Sequence, residues 1–325
     1  MTNAPVSSLI RHLSLRQLQI FVTVIRLGSF SKAADALFLA QPTISLQMKK
    51  LADTVGMPLW EQVGRTIRPT GAGEDLYAAC EEIFQSLENF DSQIAERKGM
   101  RRGNLRLGVV TTAKYIAPEL LAAFGEQYSG IHFAMQVRNR DEIILRIQAH
   151  EDDLYIMGQV PETEVDVEAI PFALNPLAVM TPRDHPLLKG TPPLPLASIA
   201  QVPFLAREPG SGTRNAYLRL FAEQGLKPQI AMELSSNEAI KHAVASGLGI
   251  SILSVHSLAL EGTGGPIQIL EVEGFPILRQ WYLVYPRGKT LSLTAQRFLE
   301  FCVAQEDFIT RRLVALWPGL AQHLR

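Results

Sequence analysis

The chain has 325 residues, 47% hydrophobic and 19% charged, with a net charge of −1. That is a globular composition with ample core material, too long for one typical domain. It excludes a membrane protein, since no apolar run approaches the roughly 20 residues of a span. A metal centre and a disulfide framework are excluded too, because Cys80 and Cys302 have the spacing of neither. The charge is unevenly spread: eight Lys/Arg stand against three acids up to Thr70, and 23 against 29 beyond it. A basic head on an acidic body points the head, and not the body, toward a polyanion. With no signal-peptide pattern at the N-terminus, the expected compartment is the cytoplasm.

After a lead-in over residues 1–13, Ser14 caps a first helix, with Gln17 in the capping-box position. Leu18, Phe21, Val22 and Ile25 follow at helical spacing, and Gly28 ends it. The stretch from Phe30 to Leu51 then predicts two short helices with a tight corner. Ser31 to Leu37 carries Ala33, Ala34 and Leu37, which suit close packing. A second helix starts near Gln41, because Pro42 fits a helical first turn, where no N–H is needed. Its Ile44, Met48, Leu51 and Val55 make a buried stripe. The other face offers Thr43, Ser45, Gln47, Lys49 and Lys50, hydrogen-bonding or cationic and never acidic. An ordinary amphipathic pair has the same periodicity, but this face suits a recognition helix in a DNA major groove. Leu59 to Arg68 predicts a short hairpin, a wing with Val63-Gly64 near its tip, and Arg65 and Arg68 placed for phosphates.

Thr70 caps a long helix to about Lys98. Its apolar positions Leu76, Cys80, Ile83, Leu87, Phe90 and Ile94 step four, three, four, three, four. That is a coiled-coil seam, read as a dimer interface, although the helix packing on its own body would leave the same stripe. Gly99 to Gly103 is a domain boundary. Beyond it strands and helices alternate, the mark of α/β layers. Strands are expected at 105–111, 131–137, 153–157, 177–180, 204–205, 230–234, 250–253 and 281–285. Helices are expected at 114–128, 141–149, 211–223, 237–246 and 293–304, with an extra one at 306–317. The domains so drawn are a winged helix-turn-helix at 1–70, a dimerisation helix at 71–98, a body at 103–305 and a C-terminal tail at 306–325. Crossings near Asn175 and Phe275 split the body into lobe I (103–174 and 279–305) and lobe II (175–278).

No catalytic pattern emerges. Ser211 in Gly-Ser-Gly lacks the nucleophile elbow, and the seven histidines show no metalloprotease spacing. The strongest site in the body is Gly210 to Thr213, whose N–H groups lead into a helix start and suit an anion. A plain Gly-rich turn would read the same way, but Arg207, Thr213 and Arg214 stand beside it. An interlobe cleft is therefore expected, with Thr111, Thr112, Lys114 and Asn139 on one wall. Arg207, Gly210, Ser211, Gly212, Thr213, Arg214 and Asn237 form the other.

The wing Leu-Trp-Glu-Gln-Val-Gly-Arg-Thr-Ile-Arg-Pro-Thr-Gly-Ala-Gly, the head, the seam helix and the two-lobed body together resemble a LysR-type transcriptional regulator over nearly the whole chain. Thr-Thr-Ala-Lys-Tyr (111–115), Asp-Leu-Tyr-Ile-Met-Gly (153–158), Arg-Glu-Pro-Gly-Ser-Gly-Thr-Arg (207–214) and Ser-Asn-Glu-Ala-Ile-Lys (236–241) resemble the subclass that controls Calvin-cycle operons. The resemblance implies an α/β fold with an all-α winged helix-turn-helix head and a two-lobed, periplasmic-binding-protein-like effector domain. It implies a regulator, not an enzyme, that binds operator DNA as a homodimer assembling to a homotetramer, with RNA polymerase as a further partner. By the same resemblance, no cofactor is expected. The effector would be a small anion: a phosphorylated sugar, phosphoenolpyruvate, phosphoglycolate or NADPH. A regulator of another metabolic operon with a different organic anion is the alternative. Gln41, Thr43, Ser45 and Gln47 are expected to meet bases, with Lys50, Arg65 and Arg68 on phosphates, and Ser31 and Pro42 complete the DNA-binding set. Three positions depart from the family pattern. Leu46 stands where a basic residue is common, Gln62 where arginine is common, and Pro69 where leucine is common.

Overall fold

The computed structural model describes residues 12–97, 103–161, 163–262 and 264–324, and the chain falls into two compact units divided between Phe90 and Asp91. The first unit opens with α1 (Leu15–Leu27). Ser14 Oγ accepts from the Gln17 amide, and the Gln17 side chain returns a bond to the Ser14 amide. This capping box fixes where the helix starts. Gly28 ends it at φ +60. The next cap is Ser29: its hydroxyl accepts from Lys32 N, so α2 runs Phe30–Leu37 and Ser31 is an exposed residue of its first turn. After Phe38 in the left-handed region, α3 (Gln41–Val55) carries Pro42 in its first turn. Ile44, Met48 and Leu51 are buried against Phe21, Val24 and Ala33 in one core.

The wing is β1 (Trp60–Val63) against β2 (Thr66–Pro69), with Glu61 opposite Arg68. Its Ile67 amide donates to Gly28 O at 2.9 Å, tying the hairpin to the end of α1. Thr70 Oγ1 accepts from Gly73 N at 3.2 Å and so caps α4 (Gly71–Arg97).

In the second unit, lobe I is built on a five-stranded sheet. Its strands are β3 (Gly103–Val110), β4 (Ile131–Arg138), β5 (Leu154–Met157), β6 (Val167–Leu174) and β12 (Gln280–Pro286), in the order β4-β3-β5-β12-β6. The first three are parallel, and β12 is antiparallel to both its neighbours. α5 (Ala117–Gln127), α6 (Arg140–Gln148) and α10 (Leu293–Ala304) cover it, with Phe124 and Phe298 in edge contact in the core. The helix expected from Lys114 begins later. Thr111–Tyr115 is a 3-10 turn and α5 starts at Ala117, with Pro118 in its first turn.

Lobe II pairs β7 (Leu177–Pro182) with β10 (Ser251–Ser254) and β11 (Ile267–Leu270), and β8 (Pro203–Arg207) with β9 (Gln229–Leu234). The Leu205 and Ile250 amides stitch the two groups together. α7 (Leu196–Ala200), α8 (Gly212–Glu223) and α9 (Asn237–Ala245) complete the lobe. The chain crosses between lobes twice, at Asn175-Pro176 and at Leu278-Arg279. The two crossings are bonded to each other, Asn175 N to Arg279 O at 2.7 Å and Leu177 with Ile277 in both directions.

The residues beyond Ala304 are not a loose tail. α11 (Glu306–Leu316) sets Ile309 in the core of lobe I, while Leu313, Trp317 and Leu320 pack with Ala178 and Val255 of lobe II.

Near the crossings, His256 is buried and its Nε2–H donates to Leu174 O at 2.9 Å. Burial pushes its pKa down from 6.5 to about 4, since the charged ring would be desolvated. The folded state therefore favours neutral His256. Its contribution is full above pH 6.5 and is lost as pH falls toward 4, at roughly 1.4 kcal/mol per unit. Urea unfolding at pH 7.5 and 4.5 should show wild type losing about 3 kcal/mol more than His256→Gln over that range. Equal losses would mean that the ring does not titrate as described.

Candidate functional site

On the head, the structure gathers the expected DNA-facing residues on α3 and the wing. Gln41, Pro42, Thr43 and Lys50 are exposed, and Ser45 and Gln47 are half-buried along the same helix. Gln41 Nε2 donates to Ser45 Oγ at 3.1 Å, so these two polar groups form one surface. Arg65 at the hairpin turn and Arg68 on β2 are exposed. Ser31 sits apart on α2, also exposed. On α3 the arrangement presents donors and cations with no acid until Asp53 near the helix end, as a polyanion requires.

The apolar stripe of α4 divides. Cys80 is fully buried in the head's own core, and Leu76 is packed against that core. They are therefore not open seam positions, which corrects the reading of one continuous stripe. Burial also raises the Cys80 thiol to about 12, so it is inert at neutral pH. Ile83, Leu87 and Phe90 stay 40%, 45% and 61% exposed, and Ile94 is half-buried.

In the body, a cleft opens between the lobes. Of the residues expected there, Thr111, Thr112, Asn139, Arg207, Ser211, Gly212 and Thr213 line it. Two helices begin at it, one of them expected and one not. One is α8, with Ser211 as N-cap. The other is α6, whose N-cap Asn139 accepts from Glu142 N at 2.9 Å. Helix starts carry unpaired N–H groups and a positive dipole end, so both favour an anion.

Four expected residues do not line the cleft. Lys114 lies 3.7 Å from Glu238 and over the Tyr115 ring. Arg214 is paired with Glu233 and donates to Arg207 O. Asn237 accepts from Arg207 and supports it from behind. Gly210, at φ +82, shapes the turn: a Cβ there would come 2.8 Å from Asp141 Oδ2. For Lys114, Arg214 and Asn237 the corrections share one cause, since partners remote in sequence claim each side chain.

Sequence reasoning missed Arg140, Met157, Gly158, Gln159, Asn175 and Arg279, all of which line the cleft. The two arginines matter most. Arg279 donates to Gly212 O at 3.0 Å and to Gly158 O, joining the two walls. Among the described residues no carboxylate pairs with it. Burial and the nearby charge of Arg140 lower its pKa to about 10, so it remains a cation at neutral pH. Arg140 bonds Glu164 at 2.9 Å, yet its buried Nε has no partner among the described residues. By contrast, Arg207 is already neutralised, with Glu208 accepting two bonds at 2.7 and 2.8 Å. Gly158 permits this crowding, for a Cβ would meet Asn175 Nδ2 at 2.8 Å.

Two family descriptions fit the chain. Residues 15–74 match the bacterial regulatory helix-turn-helix protein, lysR family, and residues 98–307 match the LysR substrate binding domain. The chain belongs to the LysR family. LysR relatives align along almost all of it. The HTH-type transcriptional activator CmpR of Synechocystis sp. (strain ATCC 27184 / PCC 6803 / Kazusa) is 45% identical over 300 residues, 92% of this chain and 98% of CmpR. The RuBisCO operon transcriptional regulator of Acidithiobacillus ferrooxidans is 42% identical over 295 residues, 91% of this chain and 95% of that protein. Among solved structures, the regulatory domain of Synechocystis PCC6803 CcmR in complex with 2-PG is 44% identical, with a TM-score of 0.60. It covers 62% of this chain and 97% of that domain. The head and the two-lobed body are thus the two halves of a LysR regulator. No helix among the described residues is long and apolar enough to cross a membrane.

Proposed function

We propose that this LysR regulator acts in the cytoplasm on carbon-fixation genes, binding operator DNA through α3 and the wing. Its activity is set by a small phosphorylated anion in the interlobe cleft. The observation that carries the reading is the pair of cations in a cleft where two helices start, Arg279 without a carboxylate among the described residues and Arg140 with an unpartnered Nε. A phosphate oxygen supplies what both lack. The relatives support the physiology: CmpR and the RuBisCO operon regulator are named for transcription control, and the CcmR domain was solved with 2-PG. The CcmR domain solved with 2-PG favours phosphoglycolate, or another phosphorylated acid of a few carbons, over NADPH. Regulator relatives, with no catalytic pattern in the sequence, favour control over catalysis. The exposed stripe on α4 supports a homodimer, assembling to a homotetramer on paired half-sites.

The test is a footprint on DNA upstream of carbon-fixation genes, with and without 2-phosphoglycolate. The expected result is protection of two half-sites about one helical turn, or a multiple of it, apart, with spacing or extent altered by the anion. Arg68→Ala should weaken binding to all duplexes and lower the salt slope by about one unit. An unchanged slope would remove the wing from the phosphates, and a footprint indifferent to every phosphorylated acid tried would refute the effector assignment.

A further inference from the structure

Resting on the DNA-binding reading above, we propose that Leu46 reads the methyl group of a thymine in the operator's major groove. Leu46 is on α3, two residues from buried Ile44 and two from buried Met48. At 3.6 residues per turn it lies about 200° round the helix from each of them, in the middle of the face turned away from the core. It is 52% exposed and, among the described residues, the one exposed large apolar side chain on α3. Its neighbours on that face are Pro42, Thr43, Lys49 and Lys50, all exposed.

An isolated leucine in the centre of a cationic and hydrogen-bonding surface has no cover within the head. The charge around it specifies the occupant as a polyanion, and the apolar tip specifies where on the polyanion it rests. The major groove of B-DNA offers one apolar group, the C5-methyl of thymine. Leucine can neither donate to guanine nor accept from cytosine, so a polar base edge opposite it would lose water without gaining a partner. The preference at that position is therefore for thymine. Flanking Thr43 and Gln47 supply hydrogen bonds to adjacent bases, and Lys49 and Lys50 reach phosphates.

The experiment uses the full chain and a duplex enriched by it from a randomised pool. Each thymine of the best duplex is replaced in turn by deoxyuridine, which removes the methyl and leaves the pairing intact. One position in each half-site should then lose about four-fold in affinity for wild type, the worth of one buried methyl, ~0.8 kcal/mol. Leu46→Ala, which lies on the surface and leaves the core untouched, should bind the thymine duplex more weakly and be indifferent to deoxyuridine at that position. Leu46→Arg, selected afresh, should exchange thymine for guanine there, since arginine bonds guanine O6 and N7. The proposal is overturned if no thymine is sensitive, or if wild type and Leu46→Ala lose equally. Enrichment of no duplex at all would instead defeat the DNA-binding reading, and this inference with it.

Discussion

Arg279→Met is expected to lower the affinity for 2-phosphoglycolate by about 100-fold or more in calorimetric titration, while the body stays folded. The reasoning starts from what Arg279 does without ligand. It is half-buried at the second crossing between lobes, and among the described residues its guanidinium bonds carbonyls alone, those of Gly212 and Gly158. Its charge is uncompensated, which is why burial and Arg140 together lower its pKa to about 10. Removing such a charge relieves desolvation and costs two hydrogen bonds to carbonyls, terms of opposite sign, so the unliganded body should change little in stability. Binding is different, because an anion in the cleft gains a desolvated, hydrogen-bonded partner. Truncating one member of a buried charge pair costs about 2–5 kcal/mol, and ~2.7 kcal/mol is 100-fold. Arg207→Ala should behave in the opposite way. It strands Glu208 and Asn237, both bonded to that guanidinium, and its main effect should be a lower melting temperature. Unimpaired binding by Arg279→Met would exclude this cleft as the site where the metabolite is sensed.

The contrast between those two arginines also marks the limit of what was legible in the sequence. Arg207 stands in a recognisable Gly-rich stretch and drew attention, yet its charge is spent on the next residue. Arg279 stands alone before a strand, with no motif, and only the antiparallel return of β12 brings it between Gly158 and Gly212. Local signals were read well: the Ser14–Gln17 capping box, the stop at Gly28, and helix Leu293–Ala304 all depend on neighbours a few residues away. β6 went unseen because Pro171 and a mixed burial pattern break the alternation of a strand. The fold tolerates that proline because β6 is an edge strand, with a register shift in its pairing beside it. Lys114 and Arg214 were misassigned for a related reason, since Glu238 and Glu233, which neutralise them, are distant in sequence. Heptad spacing on α4 had a different ambiguity. One stripe serves the head's core first and an open surface afterwards, and periodicity cannot mark the changeover.

That changeover gives the last expected result: Leu87→Asp should abolish the dimer in sedimentation velocity and leave the head folded. Ile83, Leu87 and Phe90 are large, apolar and exposed along one stripe of α4. Fully burying each such side chain stabilises association by roughly 1.5–3 kcal/mol, and a two-fold seam buries each twice. Leu87 is the middle one, so a carboxylate there meets apolar side chains on every side and, across a two-fold axis, its own copy. An unpaired charge in that position costs several kcal/mol. Leu87→Ala, which only shortens the contact, should weaken the dimer without abolishing it. Cys80 provides the control. Its thiol is buried within the head's core and is not part of the exposed stripe. It should therefore resist iodoacetamide equally in wild type and in the Leu87→Asp monomer. A dimer that survives Leu87→Asp would put the interface elsewhere. A Cys80 that becomes reactive on dissociation would restore it to the seam.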